Sequence, residues 1–286
     1  MPRVLIAGCG YLGQAVADLF VAAGWEVEGW TKSVESVAKL SVKPYSVLPV
    51  DISQQEQVRA QKSDFDAVIH CASTRGGDAD LYRHVYLDGA RTLLERFVGS
   101  RMLFTSSTSV YAQSNGEWIT EESAAEPKHE TGKILRKAED LVLAKRGIVI
   151  RLGGVYGPGR SALLKKFLSG DAILDPESDR FANQIHRDDA AEAIRLLLTR
   201  GVSVREIYNV VDDQPILQSE CYRWLATKLN RPLPPIGRST SKRKRGESNK
   251  RVSSAKLRAI DWVPRYPNFA VGMERSVLSN LDIENA

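Results

Sequence analysis

Near its amino terminus the chain reads Val4-Leu5-Ile6-Ala7-Gly8-Cys9-Gly10-Tyr11-Leu12-Gly13. The apolar residues at the start of this stretch predict a fully buried strand. Residues 11–23 repeat apolar side chains at helical spacing, which predicts a helix that ends at Gly24. Glycines spaced as Gly-x-Gly-x-x-Gly between a strand and a helix are typical of a turn that binds the pyrophosphate of a dinucleotide.

Each residue of this turn has a predicted role. Gly8 allows the tight turn, Gly10 lets the pyrophosphate approach the backbone, and Gly13 lets the helix pack closely on the strand. Tyr11 and Leu12 lie between these glycines, where the free N–H groups and the dipole of the helix start favour phosphate oxygens. The sequence therefore predicts that these residues bind the cofactor.

The residues that end the second predicted strand are expected to select the cofactor. An acidic residue there binds the 2′-hydroxyl of NAD, whereas a basic residue accepts the 2′-phosphate of NADP. The strand leads into Thr31, Lys32 and Ser33, which offer hydroxyl groups and a positive charge. Glu28 is the rival, because it follows the first glycine of the turn by about 20 residues, but it falls inside the strand. We expect NADP as the cofactor and NAD as the second choice.

The rest of the first half alternates short apolar runs with amphipathic ones. Further strands are predicted at 26–30, 45–50, 67–71, 101–105 and 147–152, and long helices at 78–98 and 131–145. Strands separated by helices imply crossover connections, so the predicted fold is α/β, a Rossmann-like doubly wound parallel sheet. After Gly157 turns interrupt the pattern, and helices predicted at 188–199 and 219–229 lie among short strands such as residues 206–211. We therefore divide the chain into a Rossmann domain, residues 1–157, and a smaller C-terminal substrate lobe, residues 158–286, which is partly interleaved with the first.

The composition is that of a globular protein, which we expect in the cytoplasm. Of its 286 residues, 43% are hydrophobic and 26% are charged. The cysteines and histidines show no disulfide or metal-ligand spacing, so no metal site is expected. The amino terminus enters a strand at once, which leaves no room for a signal peptide. No apolar run reaches the ~18 residues that a membrane-spanning helix needs.

Positive charge is concentrated in one part of the second half. The net charge is +5, and much of this excess comes from Lys242, Arg243, Lys244, Arg245, Lys250 and Arg251. We interpret this basic run as a solvated loop. No aromatic side chain interleaves with it for base stacking, so nucleic-acid binding is not expected. If the protein is an enzyme, the loop is the candidate for facing an anionic substrate.

Five further motifs follow the predicted strands in order. They are Asp51-Ile52, Val68-Ile69-His70-Cys71-Ala72, Thr105-Ser106-Ser107-Thr108-Ser109-Val110-Tyr111, Arg151-Leu152-Gly153-Gly154-Val155-Tyr156-Gly157-Pro158-Gly159-Arg160 and Ile185-His186-Arg187-Asp188-Asp189. Together with the glycine-rich turn, they resemble the extended short-chain dehydrogenase/reductase family, in particular its group of NAD-dependent epimerases/dehydratases. The resemblance runs from Val4 to about Gly272, nearly the whole chain.

The resemblance implies further contacts with the cofactor. It places Asp51 and Ile52 at the adenine, Ala72 and Ser73 beside the ribose and phosphates, and Gly154, Val155 and Tyr156 near the nicotinamide. For Asp51 the residues themselves leave a second interpretation open, in which its carboxylate caps the helix that follows, ahead of Ser53.

The chain departs from the family at the catalytic centre. The family's working acid is a Tyr followed four residues later by a Lys, and none of the nine tyrosines here has Lys at that distance. Alignment on the Ala-Glu pair that follows this motif places Thr131 at the Tyr position and Leu135 at the Lys position. The family's Asn falls at Tyr86, and Ser107 is retained. The candidate catalytic residues are therefore Ser107, Tyr86, Tyr111 and Thr131.

Two functions are compatible with these observations. The first is epimerase/dehydratase-like oxidoreduction of a sugar or nucleotide-sugar-like small molecule with NAD(P), in which Ser107 holds the reacting oxygen. The second is an NADP-binding sensor or regulatory protein without turnover. The retained Ser107 favours the enzyme and the missing Tyr–Lys pair favours the sensor, and we favour the enzyme. No nucleic-acid or membrane partner is expected, and the sequence leaves open whether the chain forms a homodimer.

Overall fold

The computed structural model describes residues 1–74, 76–238 and 248–280. Its first half contains β1 (Arg3–Ala7), α1 (Tyr11–Ala22), β2 (Glu26–Thr31), α2 (Val34–Leu40), β3 (Ser46–Pro49), α3 (Gln55–Arg59), β4 (Ala67–His70), α4 (Ala79–Tyr82), α5 (Gly89–Arg96), β5 (Arg101–Ser107), β6 (Glu117–Ile119), α6 (Glu130–Ala144) and β7 (Ile148–Leu152). Its second half contains β8 (Gly154–Tyr156), α7 (Ala162–Leu168), β9 (Phe181–Ala182), β10 (Gln184–His186), α8 (Arg187–Thr199), β11 (Ile207–Val210), β12 (Ile216–Leu217), α9 (Gln218–Leu229), β13 (Lys250–Val252), α10 (Ala255–Arg258) and α11 (Phe269–Gly272). Within these described ranges, no helix is both long and apolar enough to cross a bilayer.

Seven parallel strands form the central sheet, in the order β11-β7-β5-β4-β1-β2-β3. The apolar residues of β1 are fully buried, and their side chains alternate between the two faces of the sheet. Val4 and Ile6 pack with residues of α1 and α8, whereas Leu5 and Ala7 pack with residues of α5 and α6. Because helices cover both faces, the prediction of a Rossmann-like doubly wound parallel sheet is confirmed.

The segment beyond residue 157 contributes to this sheet. Strand β11 pairs in parallel with β7, so that Ile207 lies opposite Val149. Helix α8 shares a hydrophobic cluster with α1. A separate cluster, which includes Phe167, Tyr222 and Phe269, holds α7, α9 and α11 together. The boundary between the two predicted units at residue 157 stays a prediction.

The long helix predicted over residues 78–98 contains an irregularity. Helices α4 and α5 are joined by a π-helical turn, Arg83–Asp88, which carries Tyr86 into the core. A π turn holds one more residue than an α turn, so it shifts the register of the side chains that follow. The pattern of apolar residues does not report such a turn. Helices α2, α3 and α7 are also absent from the sequence-based expectation, because segments this short show too little of the helical period.

The expectation of a solvated basic loop is wrong at its carboxyl end. Residues 242–245 lie outside the described residues, but Lys250 begins β13, which pairs in parallel with β6. The Lys250 side chain is buried, and its Nζ donates to the carbonyl oxygen of Tyr111 at 3.0 Å and to Ser248 Oγ at 2.8 Å. Burial lowers the pKa of Lys250 to about 8. A partner strand far away in the sequence causes this burial, so the composition of the basic run does not report it.

Arg251 also differs from a solvated residue. Its guanidinium carbon lies 5.2 Å from the centre of the Trp118 ring and 5.1 Å from that of Phe181. Its Nε donates to the carbonyl oxygen of Gly116 at 2.7 Å. The basic run contains no aromatic residues of its own, and the fold supplies them from β6 and β9.

A buried ion pair fastens α6 to the sheet. Glu139 on α6 is fully buried, and Arg151 on β7 is 1% exposed. The Arg151 guanidinium donates to the Glu139 carboxylate through Nη2 at 2.7 Å and Nε at 3.1 Å, and Ser106 Oγ donates to it at 2.5 Å. Arg136 contacts the same carboxylate. Removing one charge of a buried pair leaves the other without compensation.

We predict that Glu139→Gln lowers the free energy of unfolding by about 3–5 kcal/mol, because Arg151 then stays buried without its counter-charge. Asp140 is the matched control, since it also pairs with Arg136 but has a side chain that is 61% exposed. Asp140→Asn should therefore cost less than about 1 kcal/mol. Urea unfolding of both variants measures the difference, and equal losses would contradict the role given to the buried pair.

Candidate functional site

The glycine-rich turn lies where β1 ends and α1 begins. Gly8 has a φ of +108°, and a Cβ built there would lie 2.1 Å from the backbone nitrogen of Ala72. A Cβ on Gly13 would lie 2.2 Å from the carbonyl oxygen of Gly8. Only the central glycine is open, because a Cβ on Gly10 would meet nothing within 4 Å. The turn is thus closely packed on its two outer glycines and open at Gly10, which is compatible with the close approach of a dinucleotide pyrophosphate.

The residues expected at the adenosine end lie after β2 and β3. Strand β2 ends at Thr31, and the next residue, Lys32, pairs with Asp51 at an Nζ–Oδ2 distance of 2.9 Å. The Ser33 hydroxyl caps α2 by accepting from the Ser36 backbone N–H. Glu28 lies inside β2, where its Oε1 accepts from Trp30 Nε1 at 2.8 Å. The acidic rival is therefore engaged by a neighbour on its own strand.

Asp51 does not cap the helix that follows, because α3 begins at Gln55 and Gln54 occupies its N-cap position without a side-chain cap; the Asp51 carboxylate closes a local turn with Ser53 instead. Its Oδ1 accepts from the Ser53 backbone N–H at 3.0 Å and from Ser53 Oγ at 2.8 Å. Burial acts to raise the pKa of the Asp51 carboxyl, but the hydrogen bonds from Lys32 and Ser53 outweigh it and leave the pKa below its usual value. Ile52 beside it is buried. The charged Asp51 carboxylate therefore pairs with Lys32 at the expected adenosine end of the site.

The other expected cofactor contacts lie around β4 and β8. The backbone N–H groups of Cys71 and Ala72 both donate to the carbonyl oxygen of Ala7, which holds Ala72 against the glycine-rich turn, and Ser73 next to it is exposed. Strand β8 pairs in parallel with β10 and carries the exposed Gly154 and the half-buried Val155. Tyr156 at its end is 2% exposed and packs in the hydrophobic cluster that holds α7, α9 and α11 together.

Two of the candidate catalytic residues are partly accessible. Ser107 ends β5, and its Oγ accepts from the Ser109 backbone N–H at 3.2 Å. Thr131 is the second residue of α6 and is half-buried. Leu135, one turn further along α6, is 3% exposed and belongs to the hydrophobic cluster under the sheet. Ser107 and Thr131 are therefore only half-buried, whereas Leu135 packs in the core.

The two candidate tyrosines are buried. Tyr111 is 1% exposed, and its Oη accepts from Arg151 Nη1 at 2.8 Å and lies 2.9 Å from Asn209 Oδ1. Burial raises the pKa of Tyr111 despite the nearby Arg151. The assignment of Tyr111 as a catalytic candidate is therefore corrected, since its proton is engaged inside the protein. Tyr86 is 9% exposed and stacks on His70 with a centroid distance of 6.3 Å.

The chain matches the NAD dependent epimerase/dehydratase family over residues 4–210. It belongs to that family. It is 29% identical to protein YeeZ of Escherichia coli (strain K12) over 226 residues, which make up 73% of this chain and 77% of that protein.

Two further relatives extend the comparison of this family member. It is 26% identical to the 2'-dehydrokanamycin reductase of Streptomyces kanamyceticus over 253 residues, which cover 82% of this chain and 68% of that protein. The solved UDP-glucose 4-epimerase complex with NAD from Thermus thermophilus superposes with a TM-score of 0.81 at 22% identity. That superposition covers 95% of this chain and 96% of the other. At this level of identity the superposition shows a shared fold alone.

Arg160 and Arg187 are not among the candidates that the sequence indicates for this epimerase/dehydratase-family protein. Their guanidinium carbons lie 5.1 Å and 5.0 Å from the centre of the Tyr11 ring. Both occur in motifs that carry the family resemblance, after β8 and at the start of α8. Their meeting at Tyr11 joins three distant parts of the chain, so no local pattern reports it.

We predict that Gly10→Val leaves the fold intact and abolishes dinucleotide binding, because its side chain occupies the space that the pyrophosphate needs. A Cβ at Gly10 would meet nothing within 4 Å, so the fold has room for the added side chain. Gly13→Val is the contrasting variant and should unfold the protein, since its Cβ would collide with the Gly8 carbonyl oxygen. Thermal unfolding and calorimetric titration with NADPH and NADH test both variants. A folded Gly10→Val protein with normal affinity would place the cofactor elsewhere.

Proposed function

We propose that the protein is an NADP-dependent oxidoreductase that acts on a sugar or nucleotide-sugar-like small molecule and lacks the family's usual Tyr–Lys pair. The observation that carries the proposal is the glycine-rich turn, closely packed at Gly8 and Gly13 and open at Gly10. Ser107 at the end of β5 is the residue that we place against the reacting oxygen. When bound, the nicotinamide supplies or accepts the hydride, and the protein supplies orientation.

The preference for NADP over NAD is supported by charge at the end of β2. Lys32 is 77% exposed there, so its ammonium is accessible to a 2′-phosphate. Glu28 inside β2 is the acidic residue that would instead favour NAD by binding its 2′-hydroxyl, and it already accepts a hydrogen bond from Trp30. Asp51 holds Lys32 in place and at the same time opposes a second negative charge beside it. NAD remains the second choice of cofactor.

The proposal of a divergent catalytic centre is supported by the surroundings of α6. No tyrosine in the chain has Lys four residues later. Leu135, at the position of the family's lysine, is buried among apolar side chains. Threonine at position 131 has no ionisation accessible near neutral pH, so it does not replace a tuned phenol. Tyr86 is the remaining candidate for the proton donor, and the π-helical turn that carries it is a feature frequently found at functional sites.

The second candidate function is a cofactor-binding sensor without turnover. The observation that favours it is the same departure at positions 131 and 135, because loss of a positioned acid or base typically lowers rates by ~10²–10⁴. The name of the Streptomyces kanamyceticus relative, a reductase, supports the enzyme. Tight NADPH binding with no turnover on a broad panel of sugars and carbonyl compounds would favour the sensor.

We predict that Lys32→Ala weakens NADPH binding by about 1–3 kcal/mol, the scale of a hydrogen bond to a charged group, with little effect on NADH. Asp51→Asn keeps an oxygen that accepts hydrogen bonds from Ser53 but removes the charge beside the 2′-phosphate, so it should strengthen NADPH binding. Calorimetric titration of each variant with both cofactors measures these shifts. Tighter binding of NADH than of NADPH by the unsubstituted protein would reverse the assignment.

We predict that Ser107→Ala lowers turnover by about 10²–10³-fold, because its hydroxyl is placed to bond the oxygen where charge develops. Thr131→Ala should change turnover by less than about tenfold, short of the loss expected for a positioned acid or base. Steady-state kinetics on a substrate found by the panel gives the order of the two effects. A large loss at Thr131 with none at Ser107 would mean that the family's acid has been aligned to the wrong residue.

A further inference from the structure

Two arginines meet at the first residue of α1. Arg160 and Arg187 lie over the Tyr11 ring, with guanidinium carbons 5.1 Å and 5.0 Å from its centre. The ring itself is fixed, because Tyr11 Oη donates to the carbonyl oxygen of Pro158 at 3.1 Å. Gly157 fits closely into the same contact, since a Cβ there would lie 2.7 Å from Tyr11 Oη and 3.4 Å from Arg187 Cβ. Tyr11 thus gives both cations a common, rigid support.

The charge of this cluster is not balanced. Arg187 donates through Nε to Asp188 at 2.8 Å. Arg160 is exposed and forms no ion pair with any carboxylate in the part of the chain that the structure describes. Contact with an aromatic ring uses the face of a guanidinium, whereas its N–H donors lie in the plane and stay available for the two oxygens of an anion. The cluster therefore has the chemistry of a phosphate site.

The place of the cluster in the fold indicates which phosphate it meets. In the sheet, β2 and β3 lie on one side of β1, and β4, β5 and β7 lie on the other. Lys32 and Asp51, at the expected adenosine end, follow β2 and β3. Arg160 follows β8, which comes directly after β7, and Arg187 follows β10, which pairs with β8. The two arginines therefore approach the glycine-rich turn from the side of the expected nicotinamide site.

We infer that Arg160 and Arg187, supported by Tyr11, form a side-chain clamp for the dinucleotide phosphate nearer the nicotinamide. The inference rests on the proposed use of a dinucleotide cofactor at this turn. It adds two charged contacts to the backbone N–H groups of the turn. It also assigns Tyr11 a positioning role that its place between two glycines does not suggest.

The test compares a complete dinucleotide with a fragment that has only the adenosine side. Binding of NADPH and of 2′,5′-ADP is measured by calorimetry on the full chain. Arg160→Ala should weaken NADPH about 10-fold, as expected for loss of a charge-assisted hydrogen bond, while 2′,5′-ADP changes less than about twofold. Arg187→Ala should show the same selectivity. Arg200→Ala is the matched control, because it removes the same charge from the opposite end of α8, where Arg200 pairs with Asp261.

Substitution of Tyr11 tests the support. Tyr11→Leu removes the ring and should weaken NADPH binding about as much as Arg160→Ala, whereas Tyr11→Phe keeps the ring but loses its hydrogen bond to Pro158 and should weaken NADPH binding less than Tyr11→Leu does. Tyr11→Leu and Arg160→Ala disable the same clamp. The variant that carries both substitutions should therefore lose less NADPH affinity than the product of the two single losses. Thermal unfolding of each variant establishes that the fold is retained; Arg160 is exposed on a loop, so its removal leaves the core untouched.

Three outcomes would overturn the inference. One is a loss in Arg160→Ala no larger than in Arg200→Ala, which would mean that net charge alone acts. Another is an equal loss for NADPH and 2′,5′-ADP, which would move the clamp to the adenosine side. The third is unchanged NADPH affinity with a raised KM for substrate, which would assign the arginines to an anionic substrate. Failure of the unsubstituted protein to bind NADPH or NADH would instead contradict the proposed function itself.

Discussion

One close approach between backbones governs the site, at the carboxyl end of β1. Gly8 lies against Ala72, where a Cβ would come within 2.1 Å of a backbone nitrogen, and Gly13 lies against Gly8 itself. These contacts bring the start of α1 onto the sheet beside β4. They leave Gly10 facing open space. They also fix the start of α1, from which the Tyr11 side chain extends to contact Arg160 and Arg187. The arrangement of charges around the turn depends on this packing.

The order of the strands divides these charges into two groups. Lys32 and Asp51 follow the strands on one side of β1, and Ser107 ends a strand on the other side. Arg160 and Arg187 follow β8 and β10, which pair with each other outside the central sheet. A dinucleotide laid across the turn, as proposed, spans the point where the strand order reverses, which is the usual ligand site of open α/β sheets. In this arrangement the ion pair of Lys32 with Asp51 acts on the choice between NADP and NAD. The clamp on Tyr11 acts on affinity for both.

The sequence predicts the fold because its signals are local. Buried apolar runs such as residues 4–7 and the glycines after them indicate strand, turn and helix without knowledge of the rest of the chain. What it does not predict depends on partners far away in the sequence. The burial of Lys250 comes from pairing of β13 with β6, and the hydroxyl of Tyr111 is engaged by Arg151 and Asn209. The π-helical turn around Tyr86 is missed for another reason, since one added residue leaves the apolar pattern nearly unchanged.

The proposed roles of Lys32, Ser107 and the two arginines all require a dinucleotide at the glycine-rich turn, and a crystal structure of the protein grown with NADPH tests this most directly. The account predicts electron density for the pyrophosphate over Gly10, within hydrogen-bonding distance of the backbone N–H groups at the start of α1. The 2′-phosphate should lie beside Lys32 and the nicotinamide towards Ser107. Density for the cofactor at another place, or a turn left empty at saturating NADPH, would contradict the account.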